Sequence, residues 1–176
     1  LLFHGREDLQ TLQKAEPLGP VPLLAGERLI SGLYVNELMV RLTGRGEGDA
    51  GLYRLYGATV AALTGTTPLE PLLRRFEVGL LEHLGYGVDF ATAADTGEAV
   101  DPEASYVYET EVGFLAHGLH PAAPRMAGRT LLALAGREPF DEDGLREAKR
   151  FMRSLLQRHL GDRPLQSRAL FSGAGE

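Results

Sequence analysis

Apolar residues recur at helical spacing in three successive segments, and this pattern constrains the fold of the chain more than any other feature. The first segment runs from Pro22 through Thr43, the second follows Asp49, and the third begins at Pro68. Apolar side chains at every third or fourth position place a continuous apolar stripe on one side of each helix. Because short loops join the segments, we predict three antiparallel helices packed as a bundle.

The ends of these helices carry their own signals. Asp49 has the short acceptor side chain that is favoured at a helix N-cap, and Pro68 suits a first helical turn. Gly85 follows the third stripe and is typical of a helix C-terminus. Two further helices are predicted over 129–134 and 141–160, and the segment 164–171 suggests a final turn.

Two parts of the chain depart from the helical pattern. Residues 1–20 contain short apolar stretches that end at prolines and a glycine, which indicates the last strand or two of a small β domain. The first residue is Leu1 rather than Met, so we expect that an N-terminal portion precedes it. Residues 86–124 alternate aromatic and polar side chains around a glycine, which predicts two short strands or a hairpin. We therefore predict a mainly α fold with a small β-containing insert over about 86–124.

Charge and composition exclude several classes of function. The formal net charge is −6, whereas a general DNA-binding domain is usually basic. Any DNA contact is therefore expected from a local basic patch or from a preceding region. The chain has no cysteine, which excludes disulfides and thiolate metal sites and suits a cytoplasmic protein. No apolar run approaches the ~20 residues that span a bilayer.

The sequence carries no recognisable catalytic motif. It lacks the GxSxG, Walker A, HExxH and GxGxxG patterns. The glycine-rich segment 44–48 follows a helix and has no lysine, so it is predicted to be a loop between helices. His117 and His120 are the only histidines close together, and two ligands cannot complete a zinc site. We expect no enzymatic activity, no metal and no cofactor.

Four sequence blocks occur in an order that resembles the RecO family. They are Ser31-Gly-Leu-Tyr-Val-Asn-Glu-Leu38, the segment 73–87 with Leu-Arg-Arg-Phe-Glu and His-Leu-Gly-Tyr-Gly, Ala148-Lys-Arg-Phe151, and the segment 160–168. The resemblance covers roughly residues 28–171. It implies that 21–176 form the helical domain of such a protein and that 1–20 are the closing strands of an OB-fold.

The resemblance also implies a function in DNA repair and recombination. Members of this family load recombinase onto single-stranded DNA that is coated by single-strand-binding protein, act with RecR, and anneal complementary strands. The implied partners are therefore the tail of single-strand-binding protein, RecR, and single- and double-stranded DNA, the DNA mainly through the OB-fold. No membrane is implied, and the location would be the bacterial cytoplasm at the nucleoid. A helical interaction scaffold unrelated to recombination stays open as the alternative, although it explains none of the four blocks. An enzyme with an unrecognised pair of carboxylates is a third, weaker option.

One departure from the family concerns zinc. Many members carry two CxxC pairs in a treble-clef-like insert, where four thiolates bind the metal. The matching positions here are Ala93, Thr96, Ala116 and Leu119, which supply no thiolate. We therefore expect an insert without metal that is held by packing. The expected contributors are Tyr106, Tyr108, Phe114 and Leu115.

The implied tail peptide is acidic and ends in an aromatic residue with a free carboxylate. Its receptor needs an apolar pocket with an arginine rim, since arginine pairs with carboxylates through two hydrogen bonds. We predict that Arg74 and Arg146, together with Arg150, surround a pocket floored by Leu80 and Leu84. The alternative is that these arginines are solvated residues that flank core leucines.

Two more groups of polar residues are candidates for contacts. Arg158, Arg163 and Arg168 could bind phosphate or an acidic surface of RecR, although solvation of a terminal helix explains them equally well. Asn36 and Glu37 are expected to be architectural, with Glu37 paired to Arg41 one turn later on the same helix.

Overall fold

The computed structural model describes residues 2–4, 11–16, 23–44, 49–117 and 125–173. Within these ranges the chain is mainly helical, with a short hairpin at the start and a small sheet in the middle. The helices are α1 (Gly26–Leu42), α2 (Ala50–Leu63), α3 (Leu69–His83), α4 (Gly128–Leu134), α5 (Glu142–Leu160) and α6 (Gln166–Gly173). The strands are β1 (Leu2–His4), β2 (Thr11–Lys14), β3 (Ser105–Glu109), β4 (Gly113–Leu115) and β5 (Arg125–Ala127).

The three predicted N-terminal helices are confirmed, together with the end signals at Asp49 and Gly85, whereas Pro68 is the N-cap of α3 and precedes its first turn. The Asp49 carboxylate accepts a hydrogen bond from the Gly51 backbone N–H at 2.6 Å and caps α2. Gly85 follows α3 with φ of +80°, a left-handed conformation that glycine adopts without steric cost. The helices predicted at 129–134 and 141–160 correspond to α4 and α5. None of the helices in the described ranges is both long and apolar enough to cross a membrane.

The core lies where α3 packs against α1, α2 and α5. The apolar stripe of α3 provides its centre, with Phe76 and Leu80 fully buried. Each leucine or phenylalanine buried in this way contributes about 1.5–3 kcal/mol relative to an exposed side chain. The other apolar side chains with no more than 2% exposure are Val35, Leu38, Leu63, Leu81, Ala93, Val107, Phe114, Leu131, Ala148, Met152 and Leu156.

The insert forms a three-stranded antiparallel sheet in the order β4-β3-β5. The predicted hairpin is confirmed, since β3 pairs with β4 through Tyr108 opposite Phe114. The sequence did not predict β5, which pairs with β3 through Met126 opposite Tyr106. The sheet therefore extends to Ala127 rather than ending at residue 124. A strand of three residues shows no periodicity, and its partner lies about 20 residues away.

The hairpin of β1 and β2 accounts for the extended signals near the start of the chain. The strands pair antiparallel, with Phe3 opposite Leu12 and His4 opposite Thr11. The prolines at 17–22, the glycine-rich loop at 45–48, and His120 and Leu119 lie outside the described residues.

Polar side chains on α1 anchor the end of the chain. The Glu37 carboxylate accepts hydrogen bonds from the Gln166 N–H at 2.8 Å, the Ser167 N–H at 2.9 Å and the Ser167 hydroxyl at 2.6 Å. One turn later, Arg41 donates to the carbonyl oxygens of Leu160 (2.7 Å), Arg163 (2.6 Å) and Pro164 (3.1 Å). The predicted pairing of Glu37 with Arg41 is therefore wrong, because each side chain binds the backbone between α5 and α6 instead. Asn36 has the expected architectural role and accepts a hydrogen bond from Tyr56 at 2.9 Å.

Candidate functional site

Helix α5 presents a basic face to solvent although the chain as a whole is acidic. Arg146, Lys149, Arg150 and Arg153 recur at spacings of three or four residues and therefore share one side of the helix. The opposite side carries Ala148 and Met152, which are fully buried. Because these basic residues share one side of α5, positive charge is concentrated there, although the helix also contains acidic residues.

A groove lies between α5 and the insert sheet, with a volume of about 480 Å³. Its floor is apolar, and its edges carry charged side chains. We call it the aromatic groove. Its lining residues are Tyr108, Phe114, Arg125, Met126, Glu147, Arg150, Phe151, Ser154, Leu155 and Arg158.

Packed aromatic rings form one side of this groove. The Phe151 ring lies edge-on to Tyr108 with ring centroids 5.0 Å apart, and it packs against Phe114 at 5.3 Å. Phe90 contacts the same cluster at 6.1 Å from Phe151. Each such pair contributes about 0.5–1.5 kcal/mol beyond the burial of its area. The cluster fastens the insert to α5 in the absence of thiolate ligands, and it leaves Tyr108 and Phe151 half-buried at the groove.

Three arginines and one carboxylate surround the groove. Arg158 hydrogen-bonds Thr110 and stands over the Tyr108 ring, 5.8 Å from its centroid. Arg125 is held by Ser105, to whose hydroxyl it donates at 2.8 Å. Arg150 is exposed, and no carboxylate of the described residues lies within ion-pair distance of it. The excess of positive charge favours an anionic ligand with an apolar part.

The Glu147 carboxylate, the one negative group on this rim, is already engaged. It accepts hydrogen bonds from the Ala127 N–H at 3.2 and 3.3 Å. Ala127 ends β5, so this contact ties the sheet to α5. The Glu147 carboxylate therefore stabilises the packing of the sheet against α5. It repels an anionic ligand less than a carboxylate without hydrogen-bond partners would.

A second, smaller cavity of about 190 Å³ lies among α1, α3, α5 and α6. Its wall includes Arg74, which is only 4% exposed and binds Glu77 Oε1 at 2.5 Å. The Tyr34 hydroxyl donates to the same oxygen at 2.6 Å. Burial raises the pKa of Glu77, and burial together with the nearby Glu77 raises the pKa of Tyr34 above its ordinary value. We call this space the arginine cavity. It is lined by Tyr34, Glu70, Leu73, Arg74, Glu77, Lys149, Arg153 and Arg168.

The structure does not bring the five predicted peptide-binding residues into one pocket. Arg74 belongs to the arginine cavity, and Arg150 belongs to the aromatic groove. Leu80 has no exposed surface, and Leu84 packs against the core, so neither floors an open pocket. The reason is that Leu80 lies on the side of α3 that faces the bundle. Leu80 and Leu84 therefore belong to the core and not to the floor of a binding pocket, contrary to the prediction from the sequence.

Arg146, the fifth predicted residue, lies apart from both spaces. It lines a wide, shallow cleft of about 780 Å³ that also includes Arg150. Its guanidinium forms ion pairs with Glu142 at 2.6 Å and with Asp143 on the first turn of α5. These contacts raise the pKa of Arg146, with the hydrogen bond that it donates to Asp143 as the largest cause. Arg146 is exposed on the helix surface, where such pairs contribute little.

At the positions where the resemblance would place zinc ligands, the structure has a carboxylate contact. Ala93 is buried, Thr96 is exposed, and Ala116 is half-buried. Asp95, between the first two, accepts hydrogen bonds from the Ala116 N–H at 3.0 Å and the His117 N–H at 2.9 Å. These backbone contacts, that of Ala116 first, lower the pKa of Asp95. Within the described ranges, no three His, Asp or Glu residues are grouped so that they could hold a metal ion.

The sequence interpretation missed most of the aromatic groove. The sequence predicts only that Tyr108 and Phe114 help to hold the insert together, and it predicts no binding role for Phe151. Met126 lies in the strand that was not predicted. Their separations of roughly 20 to 40 residues leave no local pattern, so only the alternation in β3 and the charge of α5 hinted at a shared surface.

The helical part of the chain matches the family model described as "Recombination protein O C terminal" over residues 23–169. The chain belongs to the RecO family. It is 45% identical to the DNA repair protein RecO of Enterobacter sp. (strain 638) over 170 residues, which cover 96% of the chain and 72% of that relative. The RecO of Klebsiella pneumoniae (strain 342) is 46% identical over 170 residues, which cover 96% of the chain and 69% of the relative. The RecO of Salmonella paratyphi B is 45% identical over 172 residues, with 97% and 71% covered.

Membership of the RecO family gives the chain a role in DNA repair and recombination. The match extends from before α1 into α6 and includes the insert, so it covers both the aromatic groove and the arginine cavity. The alternative of a helical scaffold unconnected with recombination loses its basis.

Proposed function

We propose that this RecO chain is a recombination mediator that acts by binding partners and not by catalysis. In this proposal the aromatic groove binds the acidic tail of single-strand-binding protein. The observation that carries the proposal is a half-buried aromatic floor edged by three arginines on an otherwise acidic chain. We expect the protein to work in the bacterial cytoplasm at the nucleoid, where its DNA substrates are.

The groove has the chemistry that such a tail requires. A terminal aromatic ring would pack against Tyr108 and Phe151, where ring pairs gain energy beyond their buried area. Its carboxylates would pair with Arg150 and Arg158, since arginine forms short, charge-assisted hydrogen bonds with carboxylates. A volume of about 480 Å³ lies within the range of pockets that enclose small ligands.

The proposed site differs from the predicted pocket in its residues, but it is still an apolar floor with an arginine rim. Arg150 remains in it, whereas Leu80 and Leu84 give way to the aromatic floor. Arg146 lies one turn from Arg150 and would attract an acidic tail at longer range without contacting its end. Arg74 is assigned to the other cavity.

Further partners belong to the same proposal. RecR and DNA would bind other surfaces of the protein, and the bound proteins would bring recombinase to single-stranded DNA or hold strands for annealing. We propose that the hairpin of β1 and β2 is the end of an OB-fold that carries most DNA contacts, and that 21–176 form the helical domain. The insert would be a treble-clef-like module that packs its aromatic cluster in place of zinc.

A labelled acidic peptide that ends in phenylalanine with a free carboxylate tests the groove. Fluorescence anisotropy should detect its binding to the chain, and Arg150→Ala and Arg158→Ala should each weaken it by about tenfold. The reason is that a hydrogen bond to a charged group contributes about 1.5–3 kcal/mol. Arg54→Ala is the matched control, since it removes the same charge from an exposed position on α2 that lines neither the aromatic groove nor the cleft beside Arg146. Amidation of the peptide's terminal carboxylate should weaken binding in the same way.

The competing outcomes are distinct. Equal affinity in Arg150→Ala, Arg158→Ala and the unchanged protein would refute the groove as the binding site. Weaker binding in Arg146→Ala alone would place the tail in the shallow cleft that Arg146 lines and not in the aromatic groove. A pull-down with single-strand-binding protein that lacks its last residues provides the check with the intact partner.

A further inference from the structure

We propose that the arginine cavity binds a phosphate-type oxyanion, at a site separate from the aromatic groove. Arg74, Arg153 and Arg168 would hold this anion. The inference rests on the arrangement of charge and of unpartnered donors around this small space, and it goes beyond the proposed binding of a tail peptide.

Arg74 supplies the first observation. One edge of its guanidinium is occupied, because Nη2 binds Glu77. The other edge is not, since Nε and Nη1 are buried and have no hydrogen-bond partner among the described residues. Nη1 forms an ion pair with Glu70 Oε2 at 3.6 Å, a distance too long for a hydrogen bond. Because buried donors are almost always paired, this edge of Arg74 lacks an acceptor that a bound anion would supply.

The charges around the cavity give the second observation. Four cationic side chains line it, those of Arg74, Lys149, Arg153 and Arg168. Each of the two carboxylates in the lining is paired with a cation through one oxygen, and Glu77 Oε2 has no hydrogen-bond partner among the described residues. Glu70 accepts from Lys149 Nζ at 2.7 Å, and Glu77 accepts from Arg74 and from the Tyr34 hydroxyl at 2.6 Å. The lining therefore carries an excess of two positive charges, which matches the ~2 negative charges of a phosphate group near neutral pH.

Size and polarity favour an oxyanion over a peptide end with an aromatic ring. The volume is about 190 Å³, well below that of the aromatic groove. The apolar wall consists of Leu73 and the Tyr34 ring, which are 6% and 5% exposed and offer no open floor. A compact anion with several oxygens can accept from more than one arginine at once, and arginine geometry suits phosphate.

The same chemistry has two sources in the surroundings of a DNA-repair protein. One is the terminal phosphate of a DNA strand, and the other is free inorganic phosphate. Both would place a tetrahedral oxyanion between Arg74 and the rim residues Arg153 and Arg168. The experiment below distinguishes them.

Isothermal titration calorimetry with inorganic phosphate, on the full chain in a buffer without other oxyanions, tests the cavity. We expect saturable binding that sulfate competes for, and affinity about tenfold lower or worse in Arg153→Ala and in Arg168→Ala. Arg153→Lys should retain part of the affinity. Arg54→Ala is the control, since this exposed residue of α2 carries the same charge and lines neither cavity. Rim variants are used because removal of the buried Arg74 would also disturb the fold.

Oligonucleotides with and without a 5′-phosphate identify the source. Tighter binding of the phosphorylated strand that depends on Arg153 and Arg168 would support a strand end as the ligand. Binding of inorganic phosphate with no preference between the two strands would support the free anion. Absence of saturable phosphate binding, or binding that both rim variants leave unchanged, would overturn the proposal. Rim-dependent binding of the acidic peptide without any phosphate binding would overturn it as well.

Discussion

At the scale of single residues, buried charge on α3 and anchoring groups on α1 determine how the helices meet. Burial of Arg74 and Glu77 is costly unless each charge is compensated, and breaking such a pair costs more than forming it gains. Tyr34 on α1 completes the compensation across 43 residues of sequence. Glu37 and Arg41 on the same helix bind the backbone of the segment that leads into α6. Single polar groups on α1 thus fix two neighbouring helices.

The first prediction concerns Glu37, which caps α6 from another helix. Glu37→Ala removes the acceptor of two N–H groups and one hydroxyl, and we expect a loss of about 1 kcal/mol in the free energy of unfolding. Urea denaturation near neutral pH measures this loss. Glu98→Ala is the control, because that exposed side chain accepts no hydrogen bond from other described residues, and it should leave stability unchanged.

The same contact gives a pH dependence with a definite sign. Partial burial would raise the pKa of Glu37, but the hydrogen bonds from Ser167 and Gln166 outweigh it and lower the pKa overall. A carboxylate with a lowered folded-state pKa stabilises the protein fully above its unfolded pKa of about 4.3. This contribution is lost as the pH falls through the folded-state pKa. The stability difference between the unchanged protein and Glu37→Ala should therefore shrink under acid, and a difference independent of pH would contradict the contact.

At the scale of secondary-structure elements, the insert sheet depends on close junctions and not on a metal. β5 runs directly into α4 at Gly128, whose N–H donates to the Ala104 carbonyl oxygen at 2.8 Å. A Cβ at this position would lie 1.9 Å from the Asp101 carbonyl oxygen, so only glycine allows the approach. Asp95 provides the second connection, between the turn at 92–99 and the end of β4. These contacts hold the aromatic ring cluster in its position against α5.

A pair of glycine substitutions tests this junction. Gly128→Ala should destabilise the chain by about 3 kcal/mol or more, because the added methyl group meets backbone that cannot move aside. Gly57→Ala, on the exposed side of α2 with nothing within 4 Å of the added Cβ, should stabilise it by about 0.5–1 kcal/mol. Thermal unfolding followed by circular dichroism measures both. Equal effects of the two substitutions would show that the junction at Gly128 is not constrained.

At the scale of the whole molecule, charge is distributed unevenly. The formal net charge is −6, yet basic side chains gather on α5 and around the two spaces beside it. A concentrated patch attracts acidic partners and single anionic groups, whereas the overall charge repels a long polyanion. The molecule is therefore better suited to bind short acidic segments than to hold duplex DNA along its surface.

Salt-dependent DNA binding tests this distribution. We expect an unphosphorylated duplex to bind this chain weakly, and to bind the full-length Klebsiella pneumoniae relative with an affinity that falls steeply with salt. The slope reports the number of phosphates neutralised, so it separates bulk backbone contacts from a single anion in the arginine cavity. An equally steep slope for this chain would mean that duplex DNA follows the basic face of α5.

Local sequence was sufficient for the helices, for most of their ends and for membership of the RecO family. Periodicity of 3.6 residues, a capping Asp49 and a terminating Gly85 act within a few positions of each other, so each can be recognised without knowledge of the rest. The absence of cysteine likewise excluded a thiolate zinc site from composition alone.

The tertiary structure alone decided where the proposed binding surfaces lie. Tyr108, Met126 and Phe151 come from two strands and a helix, and their meeting depends on how the insert packs against α5. The sequence places Arg74 beside an apolar stripe, where an exposed arginine is expected. In the structure Arg74 is buried, because it binds Glu77, which also accepts a hydrogen bond from Tyr34. Such contacts join residues that are distant in the chain, and their energies depend on burial and mutual geometry, which no local pattern of residues records.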